Sequence, residues 1–194
     1  WPEDGILREF YGCMECNPLQ QGWFVPHDLR GLTELLGGKE SILKKLEDFF
    51  SKTPKDMLWN AYYNHANEPV HHVPFLFNRL GKPWLTQYWV RFICNNAYFN
   101  SVEGLVGNED AGQMSAWYIM SSLGFYPVFT ASGQYVLGSP LFDKVTINHE
   151  NGKKFMSSHQ FRVWLNNEYL PDHPEYAWIK EAYSKAVTQS VNHG

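Results

Sequence analysis

Between Pro26 and Phe129 the apolar residues recur at helical spacing and are interrupted only by short polar turns. In KESILKKLEDFFS, Ile42, Leu46, Phe49 and Phe50 fall on one stripe. PHDLRGLTELLGG opens on Asp28, placed as an N-cap, and closes on Gly37 and Gly38. EPVHHVPFLFNRL is apolar on more than one side despite two prolines; Pro69 suits a first turn, and Pro74 predicts a kink or restart. Gly81-Lys82-Pro83 ends that element and begins WLTQYWVRFICNNAYF. DAGQMSAWYIMSSLG predicts a last helix, closed by Gly124. Helices this apolar around their circumference, with no strand between them, predict packed helical hairpins in a bundle or an α/α toroid, not a parallel α/β sheet.

After Gly124 the period changes. FYPVFT, GQYVLGS and FDKVTINHENGKKF alternate apolar with polar positions, and Asn151-Gly152 is a hairpin-turn pair. PEYAWIKEAYSKAV reads as helical again. The chain is therefore expected to be a single, mainly α domain over residues 1–194: helical over about 26–124, β-rich over about 125–155, with a C-terminal helix over about 174–188.

Composition narrows the function classes. A net charge of −4 without a Lys or Arg stripe gives nucleic acid no electrostatic footprint. No apolar run approaches the roughly 18 residues of a membrane helix. The opening WPEDGILREF has neither the basic start nor the apolar core of a secretory signal, and its initial Trp reads as a fragment or processed product. Cys13 and Cys16 form a single CxxC with no second pair to complete a four-cysteine zinc site. Aromatics reach 16% and sit beside polar residues, as in NAYYNHANEP and KPWLTQYW. Such pairing suits a sugar, with its apolar ring face and hydroxyl rim, as well as it suits an ordinary core.

Three polar clusters lie at predicted turns: MECNPLQQGWFVPHD, NHANEPVHH and GNEDAGQ. Turns at one end of a ring of hairpins converge, and loops on rigid scaffolding concentrate binding groups. Asp110, at a helix N-terminus, should stay ionised and so can take a proton from water; the alternative is that it merely caps the helix. Glu15, flanked by Met14 and Cys16, would hold its proton longer if buried there, as a general acid must; the alternative is an exposed loop glutamate. Glycoside hydrolysis needs two carboxyl groups in contrasting settings. Asn67 and Glu68 suit a hard cation such as calcium better than zinc, for which the histidine spacing is poor; Glu68 could equally cap the helix that Pro69 begins.

GNEDAGQMSAWYIMSSLGFYPV resembles the signature block of the calcium-dependent exo-α-mannosidases of glycoside hydrolase family 92. WFVPHDLRGLTELLGG, NHANEPVHHVPFLFNRLGKPWLTQYWVR and GQYVLGSPLFDKVTI are similar to three further blocks, in the family's order, so that the likeness runs from about Glu15 to Ile147. It implies a partial (α/α)6 toroid of helical hairpins with a small strand region near the C-terminus. It also implies inverting removal of terminal α-mannose from mannooligosaccharides or N-glycans. Glu15 matches the general acid and Asp110 the general base of the G-[ND]-x-D-x-G motif, with Asn108 and Glu109 in assisting positions. Asn67 and Glu68 match the region tied to Ca2+; His27, Asp28 and Gln113 are expected near the sugar. Inversion implies carboxyl groups roughly 6.5–9.5 Å apart.

The chain also departs from the family pattern. Cys16 stands where glycine usually follows the acid, Leu85 replaces a lysine, Gln21 an aromatic, and the residues from Phe155 onward do not match. Family members resemble a β-sandwich followed by a complete barrel, several times this length. The resemblance thus implies a secreted or periplasmic enzyme whose partners are a mannose-containing glycan and the missing sandwich and helices, or a second copy of the chain. A partial ring should leave apolar helix faces exposed. The alternative function is a non-catalytic carbohydrate-binding or self-associating module; a hydrolase of another class using the histidines as metal ligands is a third.

Overall fold

The computed structural model describes residues 13, 16–57 and 59–158. Glu15 and the expected C-terminal helix at 174–188 lie outside the described residues. Two compact units divide the chain at Ser139–Pro140.

The first unit is built from short helices. Helix α1 (Pro18–Gln21) is closed by a capping box: the Asn17 side chain accepts from the Gln20 N–H, and the Gln20 side chain accepts from the Asn17 N–H. Gln20 also donates to the carbonyls of Asn60 and Tyr62, both at 2.7 Å, so α1 is pinned to the 60–62 stretch. Helix α2 (Leu29–Leu35) begins at Asp28, whose carboxylate accepts from the Gly31 N–H at 2.8 Å, as the sequence predicts. Gly37 and Gly38 then turn the chain at positive φ into α3 (Lys39–Ser51). The predicted stripe of α3 is the centre of the core: Ile42, Leu46, Phe49 and Phe50 are buried, and Phe50 stacks on Tyr63 and Trp89.

EPVHHVPFLFNRL is not one helix. It forms two 3₁₀ turns, Glu68–Val70 and Val73–Phe75, and then α4 (Leu76–Arg79). Pro69 and Pro74 sit in the first positions of the two turns, where a missing N–H costs nothing. Helix α5 (Pro83–Asn96) opens on Pro83, and α6 (Gln113–Leu123) ends at Gly124 in the left-handed region. Strands β1 (Phe125–Tyr126) and β2 (Val136–Leu137) pair antiparallel with Tyr126 opposite Val136. Leu35, Tyr88 and Ile119, on α2, α5 and α6, are exposed, the apolar faces that a partial ring is expected to leave bare.

The second unit contains the hairpin of β3 (Lys144–Asn148) and β4 (Lys154–Ser158). Asn151-Gly152 is in its turn, as expected. Five residues, 149–153, separate the strands, and the bond from the His149 N–H to the Lys153 C=O, 2.8 Å, closes the turn around the three between them.

A cleft floored by neutral histidines

One cleft, about 410 Å³ in volume, gathers much of the expected site in the first unit. Asp110, Glu68, Gln113, His71 and His72 line it, and Phe24 and Phe129 supply aromatic walls. These residues come from all three clusters, Phe24 from the first, and Phe129 comes from the stretch after β1. The predicted convergence of the turns is thus present.

Two glycines explain how the GNEDAG loop reaches that position. A Cβ on Gly107 would lie 2.3 Å from the Ala66 carbonyl oxygen, so only glycine lets this loop lie on the NHANEP turn. The chain then passes through three successive left-handed residues, Asp110 (φ 42°), Ala111 (φ 56°) and Gly112 (φ 89°). Two of them carry a Cβ, a conformation costing roughly 1–2 kcal/mol each. Strain of this kind persists where surrounding structure over-determines it, and it clusters at functional sites.

The capping alternative for Asp110 does not hold. The N-cap of α6 is Gly112, which has no side-chain cap. The carboxylate that serves the helix is Glu109: its Oε1 accepts from the Ser115 N–H at 3.1 Å and its Oε2 from the Ser115 hydroxyl at 2.9 Å. Asp110 is left exposed on the cleft wall, available to water.

Beneath it runs a buried hydrogen-bonded network whose tautomers follow from the donors. The Tyr98 hydroxyl donates to the Met114 carbonyl, so it accepts from His65 Nε2–H, and His65 Nδ1 accepts from the Tyr63 hydroxyl. His71 donates Nε2–H to the His65 carbonyl at 3.0 Å and accepts at Nδ1 from Gln113 at 3.3 Å. The Trp117 indole donates to the His71 carbonyl at 2.8 Å, tying α6 to the floor. His72 donates Nε2–H to the Trp23 carbonyl at 2.8 Å. Burial pushes His65 well below the usual imidazole range and holds His71 and His72 at about 4. All three rings are therefore neutral at physiological pH.

The other expected site residues are placed as follows. Asn67 is buried in the turn that leads to Glu68. Asn108 is exposed at the start of the left-handed loop. His27 lies at the rim, edge-on to Phe129 at 6.4 Å. Asp28 is engaged as the cap of α2. Gln113 holds His71 and also hydrogen-bonds Tyr126, whose phenol burial pushes up to about 12. Phe24 and Phe129 carry no site signal in the sequence, and His71 and His72 enter there only as poorly spaced candidate metal ligands; the adjacent HH pair in a polar turn is the signal that marks them.

Donor chemistry bears on which metal the cleft would suit. Among the described residues no group of three or more His, Cys, Asp or Glu is clustered as metal ligands are. The histidine nitrogens are mostly taken by the network, which counts against zinc. The hard oxygens nearby are the Glu68 carboxylate, which lines the cleft, and the buried amides of Asn67 and Asn64 in the same NHANEP stretch, Asn64 Oδ1 having no hydrogen-bond partner among the described residues. Such donors match calcium, although six to eight are needed in all. The cysteines form no disulfide, and burial raises the Cys94 thiol to about 12, which leaves it unreactive.

The Glycosyl hydrolase family 92 catalytic domain matches residues 3–188. The chain belongs to this family. Its structure is similar to a family 92 α-mannosidase from Bacteroides thetaiotaomicron solved with mannoimidazole, at 38% identity and TM-score 0.65 over 74% of this chain and 20% of that one. It is also similar to a family 92 inverting mannosidase from the same organism, at 36% identity and TM-score 0.63 over 75% of this chain and 22% of that one. A curated relative, an uncharacterized secreted glycosidase of Arthroderma benhamiae, is 28% identical over 66% of this chain and 15% of its own length. The chain thus spans about a fifth or less of the relatives that it matches. The mainly helical fold with small antiparallel strand pairs is the one expected of this family 92 catalytic domain.

Proposed function

We propose that this chain carries the two catalytic carboxyl groups, Glu15 and Asp110, of an exo-α-mannosidase site, acting on mannooligosaccharides or N-glycans by calcium-assisted single displacement. The observation that carries the reading is Asp110: a carboxylate in a strained left-handed loop, relieved of capping duty by Glu109, on the wall of an aromatic-sided cleft. The printed descriptions of the relatives, an inverting mannosidase and a mannosidase solved with mannoimidazole, support the same chemistry.

In this mechanism Asp110 accepts a proton from water as that water attacks the anomeric carbon. Glu15 donates its proton to the leaving glycosidic oxygen. The C–O bond to the aglycon breaks as the new one forms on the opposite ring face, giving β-mannose. Neutral His72, fixed by the Trp23 carbonyl, presents Nδ1 as an acceptor for a sugar hydroxyl, and Gln113 keeps His71 in place below the cleft. Asn67 and Glu68 would hold calcium, which would polarise and orient the sugar hydroxyls. Asn108, an amide, cannot take a proton from water, and Glu109 is engaged with Ser115, which leaves that role to Asp110.

The exposed Leu35, Tyr88 and Ile119 favour a second reading, in which the chain alone binds glycan and needs the rest of a longer enzyme for turnover. Secretion or a periplasmic location fits the curated relative, described as secreted. No described helix is long and apolar enough to cross a membrane.

The test is mannose release from α-1,2-mannobiose with calcium. Asp110→Asn should lower the rate by about 10²–10⁴-fold, the usual worth of a general base. Glu109→Gln should lower it far less. Equal loss in the two variants would contradict the assignment, and binding without release in the unaltered chain would favour the second reading.

A further inference from the structure

Consecutive residues serve two different openings. Phe24 walls the cleft, while Trp23 walls a separate recess of about 210 Å³ that shares no lining residue with it. The recess is bounded by the rings of Trp23, Phe49 and Tyr62 and, from α3, by Lys45, Asp48 and Lys52. Residues 45, 48, 49 and 52 lie on one face of α3 at i, i+3, i+4 and i+7, so their side chains are presented together.

Three features specify what it would take. Trp23 is 3% exposed, and its indole N–H is buried with no hydrogen-bond partner among the described residues. An unmet buried donor is costly, and because the nitrogen itself has no accessible surface, the ring has to turn its N–H toward the recess for a ligand oxygen to relieve it. The Asp48 carboxylate lies 3.8 Å from the Lys52 ammonium, which is 5.9 Å from the Tyr62 ring centroid, so an acceptor, a donor and an aromatic face meet at one rim. With Lys52 paired to Asp48, Lys45 alone is left to face a phosphate's charge, so the recess suits a neutral occupant better. A purely apolar occupant would leave the indole unmet. A ring with an apolar face and alternating hydroxyl donors and acceptors satisfies all three.

We propose that this recess is a second sugar-binding site, holding one neutral hexopyranose ring apart from the catalytic cleft. The choice of mannose as its sugar rests on the mannosidase reading; the site itself does not. Because the Trp23 carbonyl also holds His72, an occupied recess would steady one ring of the cleft floor.

The experiment follows the tryptophan indole N–H signals by 1H–15N NMR while methyl α-D-mannopyranoside is added to the chain, with the Trp23 signal identified by its loss in Trp23→Phe. The Trp23 signal should move and saturate. Asp48→Ala and Tyr62→Ala should each weaken that response at least about tenfold, while Asp110→Asn leaves it unchanged. A Trp23 signal that stays still, that moves alike with glycerol, or that titrates normally in both recess variants would overturn the proposal. None of these results bears on mannose release, which is measured separately.

Discussion

At the scale of single residues, two acids adjacent in sequence have been given opposite work. Glu109 reaches forward to Ser115 and holds the first turn of α6, and this frees Asp110 to face the cleft. The sequence shows why an acid belongs at a helix mouth but not which of the two does the capping, because that depends on the left-handed run from Asp110 to Gly112. Asp28 makes the converse case. Its carboxylate bonds the Gly31 N–H, so Asp28→Ala should cost about 1 kcal/mol of stability while leaving mannose release nearly unchanged. Thermal melts together with a rate measurement check this; a large rate loss at unchanged melting temperature would instead put Asp28 in contact with the sugar.

Elements were legible where hydrophobic period and punctuation agreed. Helices α3 and α5 and the glycine end of α6 follow the pattern closely, because Gly38, Pro83 and Gly124 leave little choice of boundary. The segment after Glu68 was less so, since apolar residues on every side do not distinguish a helix from two 3₁₀ turns, and only packing around His71 and Trp117 settles it. The seating of one loop on another was not legible at all. Gly107 looks like ordinary turn punctuation, yet its lack of a Cβ is what lets GNEDAG meet NHANEP at Ala66. Gly107→Ala should therefore lower stability by about 1–3 kcal/mol and displace Asp110, so that activity falls more than the melting temperature suggests. An Ala variant with wild-type melting and wild-type rate would remove this contact from the account.

At the scale of the molecule, the buried histidines set an acid limit. His71 and His72 titrate at about 4 in the fold against 6.5 when unfolded, and His65 is lowered in the same direction. Below pH 6.5 the unfolded chain binds more protons than the folded one, so stability is complete above that pH and is lost as pH falls toward 4. Each histidine contributes a slope of about 1.4 kcal/mol per pH unit inside the window. Thermal melts should be flat from pH 8 to 7 and fall steeply from 6 to 4.5; a flat profile there would mean that these rings are not buried. The chemistry that this scaffold holds in place can be followed by proton NMR of α-1,2-mannobiose hydrolysis with calcium. β-Mannose should be the first anomer to appear, with the signal lost in Asp110→Asn. First appearance of α-mannose would mean retention of configuration and would contradict Asp110 as the base.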